Sequence, residues 1–193
     1  MYLIITQDRF LFYSISCILG PDMTEHIRCV EDICLQRHRH AHVILDTFKN
    51  NVIYTPLAER IALIEPERMY IMSPFGIKKC FTGMKVRFIP RAIQVQDLRE
   101  LVVHGRFYEW QPKIYLTRRQ HHIITMTLLH KSQRVITDDL NISIKTLFSH
   151  KYNIMLLLNL KKFSGLLGND SNLLIVFYVQ IMPDDFVMQL HRF

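Results

Sequence analysis

Residues 132–158, SQRVITDDLNISIKTLFSHKYNIMLLL, decide how the second half of this chain is to be read. Ser132 or Gln133 opens a short helix in which Ile136 and Leu140 stack at i, i+4. Asn141, Ile142 and Ser143 make a turn. Ser143 then caps the next helix, since its hydroxyl can accept one of the backbone N–H groups left without a partner in the first turn. Leu147, Ile154 and Leu158 form the inward stripe of that helix, while Lys145, Phe148, Ser149 and Tyr152 share another face at i, i+3, i+4 and i+7. Upstream, Thr117 can cap a first helix running to about Leu129. Two short helices across a three- or four-residue turn, the second with a polar and basic face, describe a helix-turn-helix whose second helix could enter a major groove.

The charge distribution points the same way. The chain has 193 residues, is 49% hydrophobic and 21% charged, and carries a formal net charge of +7. That is a globular composition with room for two small domains, and it excludes a disordered or collagen-like chain. Between Leu116 and Lys162 eight Lys or Arg face two acids, Asp138 and Asp139, whereas the remainder holds 16 basic and 15 acidic residues. A basic surplus confined to one segment is expected of a domain that meets phosphates, because each neutralised phosphate releases counterions. The same surplus is also compatible with a solvated basic face that has no partner.

The N-terminal half reads differently. Apolar runs alternate with amphipathic stretches: YLIIT, FLFYSISCIL, HVILD, PLAERIALI, RMYIMS, VRFIP and VQDLRELVVHG. Strand and helix patterns taking turns imply a parallel sheet with helices on both faces. At Gly105 the character changes to RFYEWQPKIY, which reads as a linker. The expected organisation is an α/β domain over 1–104, a linker over 105–115, a helical domain over 116–168 and an extension over 169–193.

Leu116 to Leu158 resembles the LuxR/FixJ (NarL) type of DNA-binding domain, whose pattern is LTxRExEVLxLLAxGxSNKEIAxxLxISxxTVxxHxxxIxxKL. In a gapless register the chain keeps Leu116, Thr117, Arg119, Ile123, Ser132, Ile136, Leu140, Ile142, Ser143, Thr146, Leu147, His150, Ile154 and Leu158, identically or as apolar equivalents. It departs where Gln120 and His122 replace acids and where His130 replaces the glycine of a turn that wants φ > 0. The resemblance implies double-stranded DNA as a partner, with Phe148, Ser149 and Tyr152 as base-edge candidates and Arg134, Lys145, Thr146 and Lys151 near phosphates. It also implies a homodimer, or a heterodimer with another LuxR-type regulator.

The N-terminal half resembles the receiver domain that precedes this module in response regulators. A receiver holds Mg²⁺ with two acids after its first strand and a phospho-accepting Asp after its third, and has a Ser/Thr after the fourth and a Lys after the fifth. The matching positions here are Gln7 and Asp8, then Asp46, Ser73 and Arg91. The acceptor survives while its surroundings are changed, and Arg for Lys is not a conservative exchange at such a site. The passage from Asp8 to Asp46 is also short for a full β-α-β-α-β path. A degenerate receiver on a LuxR-type tail is similar to the enterobacterial accessory regulators of capsule and fimbriae, the RcsA/FimW type.

Other clusters have plainer readings. Cys29, Cys34, His38, His40 and His42 are ligand types, but their spacing fits no common zinc module, and a surface His/Arg cluster is expected. Asp8 and Asp46 lack the partners of a hydrolytic pair, so no enzyme activity, cofactor or metal is expected. Cys17, Cys29, Cys34 and Cys80 show no disulfide framework. The apolar run Leu173 to Met182 is too short to span a membrane and reads as core or as a dimer interface. The start lacks the basic n-region of a signal peptide, so a cytoplasmic protein is expected. Two functions follow from these readings: a sequence-specific transcription regulator largely independent of phosphorylation, or a module that titrates another LuxR-type regulator without touching DNA.

Overall fold

The computed structural model describes residues 1–47, 56–81, 83–106 and 108–160. The contacts divide the chain into two units, Met1–Arg118 and Arg119–Phe193. The apolar run Leu173 to Met182 and the extension over 169–193 lie outside the described residues.

In the first unit β1 (Tyr2–Ile5), β2 (Thr24–Ile27), β3 (His42–Asp46), β4 (Arg68–Met72) and β6 (Val86–Ile89) form a parallel sheet in the order β2-β1-β3-β4-β6. Successive side chains of a strand point to opposite faces, and both faces here are covered, so the central strands are apolar almost throughout. On one face Leu3, Ile5, Val43, Leu45, Met69 and Ile71 pack with Ile61 and Ile64 around α2 (Pro56–Leu63). On the other, Ile4, Ile44, Tyr70 and Met72 meet Ile15 and Leu19 of α1 (Arg9–Leu19) and Leu98, Leu101 and Val102 of α3 (Val95–Val102). The strand order reverses between β1 and β3. In an open α/β sheet such a reversal leaves a crevice beyond the carboxyl ends of those two strands.

Two features depart from the alternation read along the chain. The strand β2, TEHI, is absent from the apolar runs because an edge strand needs little apolar character, and only Ile27 is fully buried. The path from β2 to β3 holds a single 3₁₀ turn, Val30–Asp32, where a second crossover helix would stand. His38 sits in this connection and is buried, not on the surface, with Nε2 at 3.3 Å from Glu25 and Nδ1 accepting the Cys34 N–H. His40 instead meets the Glu65 carbonyl, and His42 stacks on Tyr2. Each ligand-type side chain has its own neighbour. Among the described residues no group of three His, Cys, Asp or Glu is arranged to hold a metal. No helix among them is long and apolar enough to cross a membrane.

The segment read as a linker is partly tied down. Tyr108 packs beside the α1/α3 layer, and Tyr115 opens β7 (Tyr115–Thr117), which pairs in parallel with β5 (Gly76–Lys78). Leu116 is fully buried there.

The described residues of the second unit form α4 (Arg118–Leu128), α5 (Gln133–Leu140) and α6 (Ile144–Leu157), with Ile123, Ile136, Leu147 and Ile154 buried. Ser132 and Ser143 cap α5 and α6, accepting the N–H groups of Val135 and Thr146. His130 and Asn141 end α4 and α5 with φ of 55° and 49°, a conformation that Asn and His tolerate better than β-branched residues do.

Gly76 generates a prediction. A Cβ at this position would stand 2.2 Å from the Tyr115 ring, so the β5–β7 contact requires glycine. Gly76→Ala is expected to cost about 1–3 kcal/mol in urea unfolding. Pairing it with Tyr115→Ala should recover part of the loss, and simple additivity of the two losses would show that the contact does not limit stability.

Candidate functional site

Two regions collect the residues singled out by sequence. The first lies in the crevice of the sheet. Asp8 follows β1 and serves as N-cap of α1, with Oδ1 accepting the N–H groups of Phe10 and Leu11 at 3.0 and 3.1 Å. Asp46 ends β3 and is almost fully buried. Arg91 follows β6 and reaches across to both: Nη2 donates to Asp8 Oδ2 at 2.7 Å and to Asp46 Oδ2 at 3.2 Å, and Nε donates to Asp46 Oδ1 at 3.2 Å. Thr6 Oγ1 donates to Asp46 Oδ2 at 2.8 Å and accepts the Asp8 N–H at 3.0 Å. The crevice is therefore closed by one guanidinium shared between two carboxylates. Arg can do this because its planar fork offers several donors in fixed directions, where an ammonium would act as a point charge.

The electrostatics follow from that geometry. Burial alone would raise the Asp8 carboxyl, but the Leu11 N–H and Arg91 outweigh it and hold Asp8 below its ordinary value. Burial likewise opposes the charge on Arg91, and the neighbouring Asp46 and Asp8 more than compensate, raising it. The residues do not suit Mg²⁺. Both carboxylates are ion-paired with a fixed cation, and Gln7 is turned toward β2, donating to the Arg28 carbonyl at 3.0 Å. Ser73, buried at the end of β4, accepts the Phe75 N–H with its hydroxyl, a local turn bond. Asp8, Asp46 and Arg91 thus come together as a staple. Thr6, which sequence reading passed over, completes it; a hydroxyl at the end of an apolar strand gives no periodic signal.

The second region is the outer face of α5 and α6. Lys145, Phe148, Ser149 and Tyr152 are exposed side by side on α6, and this helix contains no Asp or Glu. Ser149 Oγ donates back to the Lys145 carbonyl at 3.2 Å, which uses its proton within the helix. Thr146 shares a hydroxyl contact of 2.8 Å with Ser143 and so belongs to the cap. The Lys151 ammonium stands 5.9 Å from the Phe148 ring centroid, and burial lowers its pKa. Arg134, on α5, is extended into solvent, 4.0 Å from Asp138. His122 Nε2 lies 2.5 Å from Asp139 Oδ2, tying α4 to α5. The neighbouring His121 is buried, and desolvation followed by the proximity of His122 lowers its pKa to about 4. A histidine where the LuxR pattern has an acid thus reaches a carboxylate on the next helix.

Comparison with known proteins gives this arrangement a family. Residues 1–111 match the profile of the GadE/DctR transcriptional regulator N-terminal domain. The HTH-type transcriptional regulator DctR of Escherichia coli K12 is 35% identical over 166 residues, covering 86% of this chain and 94% of DctR. The transcriptional regulator GadE of the same strain is 24% identical over 166 residues, covering 86% of this chain and 95% of GadE. Among solved structures, the response regulator StyR superposes with a TM-score of 0.38 at 14% identity, covering 86% of this chain and 94% of its own, a likeness too loose to bear on any residue here. The narrower resemblance to capsule and fimbriae regulators of the RcsA/FimW type has no counterpart in these matches. The chain belongs to the GadE/DctR family of transcriptional regulators.

Proposed function

We propose that this protein regulates transcription in the cytoplasm by sequence-specific binding of double-stranded DNA, as a homodimer or with a partner regulator, and that it does so without phosphorylation of Asp46. The observation that carries the reading is the acid-free helix α6, which presents Lys145 and Lys151 together with Phe148, Ser149 and Tyr152. Lys145 and Lys151 on a helix with no acid of its own favour contact with phosphates. A helix preceded by a tight turn and a shorter helix matches the geometry in which a recognition helix enters the major groove. The DctR relative is itself named as an HTH-type regulator.

Independence from phosphorylation rests on the staple. Both Asp46 oxygens accept hydrogen bonds, and an acyl phosphate could form only if one of them were released from Arg91 or Thr6. Control is then exercised through the amount of protein or through a partner. Incubation with acetyl phosphate and Mg²⁺ should leave the intact mass unchanged, and Asp46→Asn should bind DNA as the parent does. A phosphoryl adduct on Asp46, together with altered binding by the Asn variant, would restore control by phosphorylation.

The DNA reading is tested by salt. Lys145→Ala and Lys151→Ala should each weaken binding to specific and random duplexes alike and lower the slope of log K against log[salt] by about one. Unchanged slopes in both variants would remove this face from the DNA and favour titration of another regulator.

The staple also sets an acid limit. Arg91→Ala strands a buried carboxylate and should cost about 3–5 kcal/mol of unfolding free energy at neutral pH. Asp8 is ionised more readily in the folded state than in the unfolded chain. Its contribution is therefore complete above its ordinary value of 3.8 and disappears as pH falls through the lowered folded value. Urea unfolding between pH 7 and pH 3 should show the gap between parent and Arg91→Ala closing on the acid side; a constant gap would separate the staple from acid sensitivity.

A further inference from the structure

The outward face of α6 is unusually apolar for a helix that reads bases. Phe148 and Tyr152 are 54% and 59% exposed, four residues apart on one stripe. Of the polar residues between them, Ser149, His150 and Lys151, Ser149 is the exposed one, and its hydroxyl proton is directed back to the Lys145 carbonyl. Neither Phe148 nor Tyr152 offers the paired donors and acceptors with which Arg, Asn or Gln recognise guanine or adenine. In the major groove the apolar group a base pair presents is the 5-methyl of thymine.

We propose that Phe148 and Tyr152 recognise thymine methyl groups, so that the sites bound by this protein are selected for thymines at alternate positions. The inference rests on the DNA-binding reading above and deepens it. Four helical residues advance about 6 Å, and two base-pair steps advance about 7 Å, so the two rings match methyls two steps apart. The surrounding cations fit this role: Lys151 stands beside the Phe148 ring, and Lys145 precedes it by one turn. Phosphate contacts of that kind hold the helix in register without specifying a base, leaving discrimination to the rings.

Alternating poly(dA-dT) duplex places a thymine at every second position, and alternating poly(dA-dU) differs from it by the methyl group alone. Binding of the full chain to the two, by fluorescence anisotropy at one salt concentration, should favour dA-dT by about fourfold for each methyl covered, the equivalent of about 0.8 kcal/mol. Phe148→Ala and Tyr152→Ala should each remove about one such factor on dA-dT and change dA-dU little. Their exposure makes loss of the fold unexpected, and the ratio measured on the natural chain needs no variant. Equal affinity for both duplexes would overturn the proposal. Discrimination that survives in the double variant would also overturn it, assigning the preference to groove shape. If the variants instead convert an oligomer to a monomer in sedimentation while the dT/dU ratio holds, the stripe is a protein interface and the proposal fails. Binding to neither duplex, even at low salt, would refute the DNA-binding reading itself.

Discussion

The first unit depends on one guanidinium shared between two carboxylates at one point in its sheet. Three segments of the chain end together there, carrying Asp8 after β1, Asp46 on β3 and Arg91 after β6. Asp46 has almost no exposure to water, and a lone carboxylate in that position would be severely destabilising. Arg91 and Thr6 supply the donors that make its burial tolerable. Because Asp8 also caps α1, the same network fixes the start of the helix that covers one face of the sheet. An ion pair of this kind contributes little net stability relative to apolar packing, yet removing one partner is costly. Its physical effect is to specify how the strand ends are arranged.

That constraint changes what the crevice can do. A switch point in a parallel sheet ordinarily offers an open site for a ligand, with carboxylates free to meet a cation. Here the cation is covalently part of the chain. An arginine in place of a lysine spans two carboxylates at once, and its guanidinium keeps its proton at any physiological pH. The carboxylates of this crevice are held by several hydrogen bonds of fixed direction.

Much of this was legible along the chain, and the reasons are specific. The central strands are buried on both faces, so YLII, HVILD and RMYIM announce themselves as apolar runs. Ser132, Asn141 and Ser143 are legible because caps depend on local side-chain chemistry. The edge strand TEHI lacks that apolar character, and β7 sits in a segment of mixed composition whose pairing with β5 is a long-range event. Asp8, Asp46 and Arg91 could be nominated only through a resemblance. That they bond to one another, and that Thr6 joins them, depends on tertiary geometry that spacing does not encode. Likewise His122 stood out as a departure from a pattern, while its carboxylate partner Asp139 is reached only across the junction of two helices.

The two units divide the physical work unequally. In the first, the charged groups singled out by sequence are paired with one another through Arg91. In the second, the acids of α5 are engaged by His122 and face Arg134, while α6 has none. No acid of α6 itself compensates Lys145 and Lys151. A polyanion would supply that compensation with a gain from released counterions, whereas an acidic protein surface would have to be matched to Lys145 and Lys151 one by one. The first unit thus pairs Asp8, Asp46 and Arg91 with one another, whereas α6 carries its lysines and exposed aromatic rings on a helix without acids, the contrast on which the proposed assignment of DNA recognition to α6 rests.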